Sequence, residues 1–84
     1  SYSVYILKSL SSNKYYIGSS DNPQRRLLYH NSFEKGFASR FRPWIIVYQK
    51  QYETKEQALI VERKIKSWKS RKMIEKLITG DYNI

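Results

Sequence analysis

Cysteine is absent from this chain and histidine occurs once. Without cysteine there is no disulfide and no thiolate for a metal. One histidine cannot build a zinc site alone. Glycine and proline are scarce, at three and two residues. No linker, repeat or low-complexity stretch divides the chain. No apolar run approaches the roughly 20 residues that cross a bilayer. No basic segment followed by a long apolar one opens the sequence. The expectation from these absences is a soluble, intracellular protein.

Acidic residues are also few. Seven Asp and Glu stand against sixteen Lys and Arg, for a formal charge of +9 and a pI near 9.9. A polyanionic partner is the first expectation, with nucleic acid ahead of an anionic membrane surface. The plainer alternative is that the charge only keeps the protein soluble. The 84 residues make one domain with a modest core.

Tyr2 to Leu7 alternates and is rich in β-formers, so it reads as a strand. Ser11-Ser12-Asn13 is a turn cluster, and Tyr15 to Ser19 resumes as the second strand of a hairpin. Whether Tyr5 and Tyr16 share a face depends on the register, because a one-residue slip reverses it. Gly18 near the strand end marks a bulge or a close backbone approach. Asn22 and Pro23 suit the cap and first position of a helix running to about His30 or Asn31. Leu27 and Leu28 point toward its core side. The stretch from Ser32 to Arg42 is irregular, with room for a short helix. In it Arg40 and Arg42 flank Phe41, which suits either nucleic-acid contact or packing under a loop.

Trp44-Ile45-Ile46-Val47-Tyr48 is a nearly continuous apolar run and predicts a central strand covered on both faces. Thr54 and Gln57 form a capping box, and Ala58, Val61, Ile65 and Trp68 recur at helical spacing. Ser70 breaks that helix or caps another, and Gly80 ends the last one. The fold class is therefore α/β: a small three-stranded sheet, an N-terminal hairpin plus a later strand that could sit at either edge, flanked by helices.

Five residues carry candidate chemistry. Glu62 borders the apolar stripe of its helix. Its plain reading is an i, i+4 ion pair with Lys66. Its functional reading is a ligand for Mg²⁺ or Mn²⁺, ions that take one or two protein carboxylates and fill their shell with water and phosphate. Arg26 and His30 are spaced i, i+4 on one helix face. Together they offer a phosphate-binding cation and a proton-transfer group, or else a solvated charge and a structural histidine. Tyr5 and Tyr16 are ordinary strand formers unless their surroundings stabilise a phenolate.

Taken together these residues resemble the GIY-YIG nuclease superfamily. Val4-Tyr5-Ile6 stands for the first motif, with Val4 in place of its leading glycine. Tyr16-Ile17-Gly18 is the second motif intact. The eleven-residue spacing of the tyrosines, the Arg26–His30 pair and the downstream Glu62 fall in the family's order. Asn22-Pro23-Gln24-Arg25-Arg26-Leu27, His30-Asn31, Arg42-Pro43-Trp44 and the stretch from Glu62 to Lys69 resemble its small, stand-alone, single-domain bacterial branch, which implies a cytoplasmic bacterial protein.

The resemblance implies a metal-dependent endonuclease acting on DNA, in repair or recombination. Glu62 would hold the metal and Arg26 the scissile phosphate. A tyrosine, Tyr5 first, would help deprotonate water with His30 as its partner. Tyr16 would orient water or phosphate, and Gly18 would allow close approach. Both tyrosines should then share a face. Arg25, Arg40, Arg42, Lys66 and Lys69, with the basic run Arg63, Lys64, Arg71 and Lys72, are the expected nucleic-acid contacts. The substrate would be DNA, structure-selective or weakly specific, with RNA the neighbouring class and a protein partner supplying targeting. The rival readings are a nucleic-acid-binding module with little cleavage and an adaptor in a larger repair complex.

Overall fold

The computed structural model describes residues 1–32 and 40–84. Three antiparallel strands form one sheet in the order β2-β1-β3: β1 (Tyr2–Ser9), β2 (Tyr15–Ser20) and β3 (Trp44–Tyr52). Among the described residues three α-helices flank it: α1 (Pro23–Ser32), α2 (Lys55–Ser67) and α3 (Arg71–Thr79). None is long and apolar enough to cross a membrane.

The central strand is β1, not β3. Val4, Tyr5, Ile6 and Leu7 are all buried, so both faces of β1 are covered. β3 pairs with β1 alone and is an edge strand, and its Ile45 is exposed. Its apolar run has another cause. The pairing shifts by one residue between Ile6 and Leu7, which leaves Val47 as the extra residue of a bulge. Val47 and Tyr48 consequently pack on the same side of the sheet. Consecutive apolar residues here record that change of phase, not burial on two faces.

Each face has its own core. On one side Val4 and Ile6 meet Ala58 and Ile65 of α2 and Leu77 of α3. On the other, Tyr5, Leu7 and Trp44 pack with Tyr16, Ile46, Phe41 and Leu27 of α1. Leu28 does not join them and is largely exposed. Arg40 begins the described chain again, outside which lies most of the irregular stretch expected from Ser32 to Arg42.

Local signals set the helix ends. The backbone amide of Arg25 donates to Asn22 Oδ1, and Pro23 opens α1. The Thr54–Gln57 capping box starts α2. Ser70 caps α3, and Gly80 ends it at φ 88°, where a side chain is disfavoured. The end of α1 is fastened to β3 by side chains. Asn31 donates to the Trp44 carbonyl at 3.0 Å and accepts from the Trp44 amide at 2.7 Å. Arg42 Nε donates to the His30 carbonyl at 2.7 Å. At the same end of the sheet, Arg71 hydrogen-bonds both the carbonyl and the side chain of Asn13 in the hairpin loop.

Candidate active site

The register answers the question of the two tyrosines. Tyr5 pairs with Gly18 and Leu7 with Tyr16, so Tyr5 and Tyr16 lie on one face, the face covered by α1. Tyr5 lies across β2 at Gly18. A Cβ on residue 18 would come within 2.6 Å of the Tyr5 hydroxyl oxygen and 2.8 Å of its Cζ. Only glycine leaves room for the phenol there, and the ring uses that room to reach the outer strand of the sheet.

Charged side chains of α1 and α2 both act on this hydroxyl, one by a hydrogen bond and one through its charge alone. Arg26 of α1 hydrogen-bonds it with its guanidinium, which also lies 5.1 Å from the centre of the Tyr29 ring. Glu62 of α2 approaches from the opposite face. Ser19, one residue beyond Gly18, points to that face and donates to Glu62 Oε1 at 2.5 Å. Lys66 donates to Oε2 at 2.7 Å, so the expected i, i+4 ion pair is present. The Glu62 side chain retains 16% of its exposure.

The phenol is electrostatically contested. Burial pushes the Tyr5 pKa above its ordinary value of 10.0. The hydrogen bond and charge of Arg26 pull it back, while the ionised forms of Tyr16 and Glu62 push it further up. Burial prevails, and Tyr5 is a neutral phenol at pH 7. It both donates and accepts hydrogen bonds in this state.

Tyr16 and His30 make a second, deeper pair. Their ring centres are 4.5 Å apart, and Tyr16 also lies edge-on to Trp44 at 6.2 Å. His30 is completely buried. Arg26 and His30 therefore share a helix side but sit at different depths, the arginine at the Tyr5 hydroxyl and the histidine against Tyr16.

The expected nucleic-acid contacts divide similarly. Arg25 is exposed and paired with Asp21 at 3.0 Å. Arg40 is exposed, and Arg42 is half-buried with its Nε on the His30 carbonyl. Phe41 between them packs into the α1-side core, and its carbonyl accepts the Ser9 hydroxyl at 2.5 Å. Lys66 is on Glu62, and Lys69 is exposed.

Among the described residues no three His, Cys, Asp or Glu side chains gather as a metal site. Glu62 is a lone carboxylate. That donor set fits a hard divalent cation that completes its shell with water and phosphate, and does not fit zinc.

Sequence reasoning passed over Ser19, the Asn31–Trp44 contact and the Arg71–Asn13 contact. Ser19 had a signal available once the register was known, since its alternation with Gly18 turns it toward α2. The other two join residues distant in sequence and carry no local signature.

Residues 1–76 match the GIY-YIG catalytic domain. The chain is similar to the structure-specific endonuclease subunit SLX1 of Phaeosphaeria nodorum, 48% identical over 48 residues, covering 51% of this chain and 13% of that protein. It is also similar to the subunit of the same name from Debaryomyces hansenii, 47% identical over 53 residues, covering 55% of the chain and 15% of the relative. An uncharacterized protein of Acanthamoeba polyphaga mimivirus is 38% identical over 79 residues, covering 88% of the chain and 48% of the viral protein. The chain thus spans about a seventh of these fungal relatives and about half of the viral one.

These relatives correct two expectations. They come from fungi and a virus, so the assignment to a stand-alone bacterial branch falls, and the bacterial cytoplasm falls with it. The motif assignment shifts as well. The tyrosine is the third letter of GIY, so that motif lies on Ser3-Val4-Tyr5. Ser3, buried opposite Ser20, stands where the glycine would, and Val4 is the motif's apolar middle residue. With its catalytic-domain match running from the first strand into the last helix, this chain belongs to the GIY-YIG family.

Proposed function

We propose that residues 1–84 form one nuclease domain that hydrolyses phosphodiester bonds in DNA as a divalent-metal-dependent endonuclease. The observation that carries this reading is the convergence of Tyr5, Arg26 and Glu62 at one point of the sheet, from three separate elements. That set supplies a proton-handling hydroxyl, a cation for phosphate and a carboxylate for a metal.

Arg26 binds the scissile phosphate and stabilises the charge that grows on it, an arrangement worth about 10²–10³ in rate for one well-placed donor. Tyr5 handles the proton of the attacking water at its hydroxyl oxygen. Its neutral form can orient the water. Deprotonation becomes easier once the Glu62 charge is compensated, because that charge is one of the influences holding the proton on. Glu62 would hold Mg²⁺ or Mn²⁺, with Ser19 fixing one carboxylate oxygen and Lys66 giving way at the other. When bound, the ion would polarise the phosphate and lower the pKa of water. Tyr16 lines the same face, and His30 acts as a positioning residue through the Tyr16 ring.

The fungal relatives are named as structure-specific endonuclease subunits. By extension this domain selects DNA by structure more than by sequence and works with a protein partner. RNA remains the competing polymer.

A second reading is a nucleic-acid-binding module that does not cut. The 2.7 Å ion pair favours it, since Lys66 already occupies one oxygen of the only carboxylate at the site among the described residues. Nicking of supercoiled plasmid with Mg²⁺, with Mn²⁺ and with EDTA decides between them. Cleavage that needs the metal and is lost in Glu62→Gln, with DNA binding retained, is expected. Equal nicking by Glu62→Gln would sink the nuclease assignment.

A further inference from the structure

Beside the Glu62 carboxylate, a cleft of about 330 Å³ opens between the hairpin loop and the α2–α3 turn. Its floor is apolar, made by Ile17, Ile65 and Ile74, and its rim carries Lys14, Lys66, Lys69 and Arg71. Among the described residues no acidic side chain lines it. A cleft of one charge sign over a low-dielectric floor concentrates the field and draws in anions.

The four cations are held in different ways, Lys14 with its ammonium 5.4 Å from the Phe41 ring centre. Arg71 is fixed, hydrogen-bonded to the Asn13 loop, paired with Glu75 at 3.3 Å and stacked 4.7 Å from the Tyr15 ring centre. Lys66 stands between the cleft and Glu62, and is half exposed. Lys69 makes no hydrogen bond or ion pair among the described residues. Its backbone is in the left-handed region at φ 48°, where glycine or asparagine would sit without strain. A lysine held in a disfavoured conformation, with no partner inside the protein, points to a partner outside it.

We propose that this cleft is a second phosphate-binding subsite. It takes a backbone phosphate of the nucleic-acid strand whose neighbouring phosphodiester lies at Tyr5, Arg26 and Glu62. The proposal rests on the nuclease reading for the identity of that neighbour. Lys66 links the two positions: displaced from Glu62, its ammonium turns to the cleft and meets the flanking phosphate.

Binding in the absence of cleavage tests it separately. Fluorescence anisotropy of a labelled DNA duplex is followed against KCl concentration, in a Glu62→Gln background. Lys69→Gln is expected to weaken binding and to reduce the slope of log K against log salt by about 1. Lys69→Arg is expected to restore the slope. Lys50→Gln, on the opposite edge strand, is expected to leave it unchanged. Lys69→Gly is expected to raise the midpoint of thermal unfolding while weakening DNA binding. An unchanged slope in Lys69→Gln, or an equal loss in Lys50→Gln, would overturn the subsite. The nuclease reading fails on a different result, the absence of metal-dependent nicking.

Discussion

On the α2–α3 side of the sheet the buried residues are Val4, Ile6, Ala58, Ile65 and Leu77, none with a polar side-chain atom. On the α1 side they are Tyr5, Leu7 and Trp44, with Tyr16 half-buried and His30 fully buried beside them. The first core needs only shape and hydrophobicity, which many side chains supply. The second buries phenol and imidazole groups that must be oriented by specific partners. The comparison teaches that one strand can separate two tasks by alternation alone. In β1 the even positions hold the fold together and Tyr5, at an odd one, reaches the candidate site.

The sharpest way to break this division is to damage the aliphatic side. Leu77→Ala, in the core but outside the cleft, should cost about 2–5 kcal/mol, read as a lowered urea midpoint. Its nicking rate per folded molecule should stay near that of the parent. A specific loss of rate in fully folded Leu77→Ala would show that the two sides are not separable. Gly18→Ala comes next, costing about 1–3 kcal/mol as the Tyr5 ring is forced off β2. Here activity should fall further than stability explains. Unchanged nicking would show that the ring position does not matter.

Alkaline pH tests both sides at once. Tyr5 on the α1 side and Tyr48 and Tyr52 on the other have pKa values raised chiefly by burial. The folded protein therefore holds these protons more tightly than the unfolded chain. Their contribution is complete below about pH 10 and is lost as pH rises through the folded-state values. Denaturation midpoints should decline above that pH, and Tyr5→Phe should soften the decline. A flat profile would contradict it. The smallest expected change has the opposite sign. The Tyr52 hydroxyl is buried without a hydrogen-bond partner among the described residues, an exception on the aliphatic side. Tyr52→Phe should raise stability by up to about 1 kcal/mol, visible in the thermal midpoint.

Much of the fold was legible because its signals are local. Thr54–Gln57, Ser70 and Gly80 each act on backbone groups within a few residues, and all three mark observed helix ends. β3 was misread because a bulge mimics burial on two faces, and the bulge exists only in the pairing with β1. Leu28 was misplaced because two adjacent leucines on a helix point in directions about 100° apart, and only one can face the core. At the candidate site, the kinds of residue were readable while their depth was not. Nothing in the sequence distinguishes Arg26, at the Tyr5 hydroxyl, from His30, sealed under Tyr16. Ser19 and Lys69 depend on register and on a backbone angle, which appear only with the assembled sheet and turn.

The two tryptophans fall on opposite sides of this sheet. Trp44 is buried among the aromatics beneath α1, and Trp68 packs edge-on to Tyr82 at 5.6 Å against the aliphatic core. Each half of the molecule thus carries its own fluorophore. In Trp68→Phe the indole emission comes from Trp44 alone and reports the polar half. Comparing that signal with far-ultraviolet circular dichroism through a urea titration shows whether the halves come apart together or the α1 side loosens first.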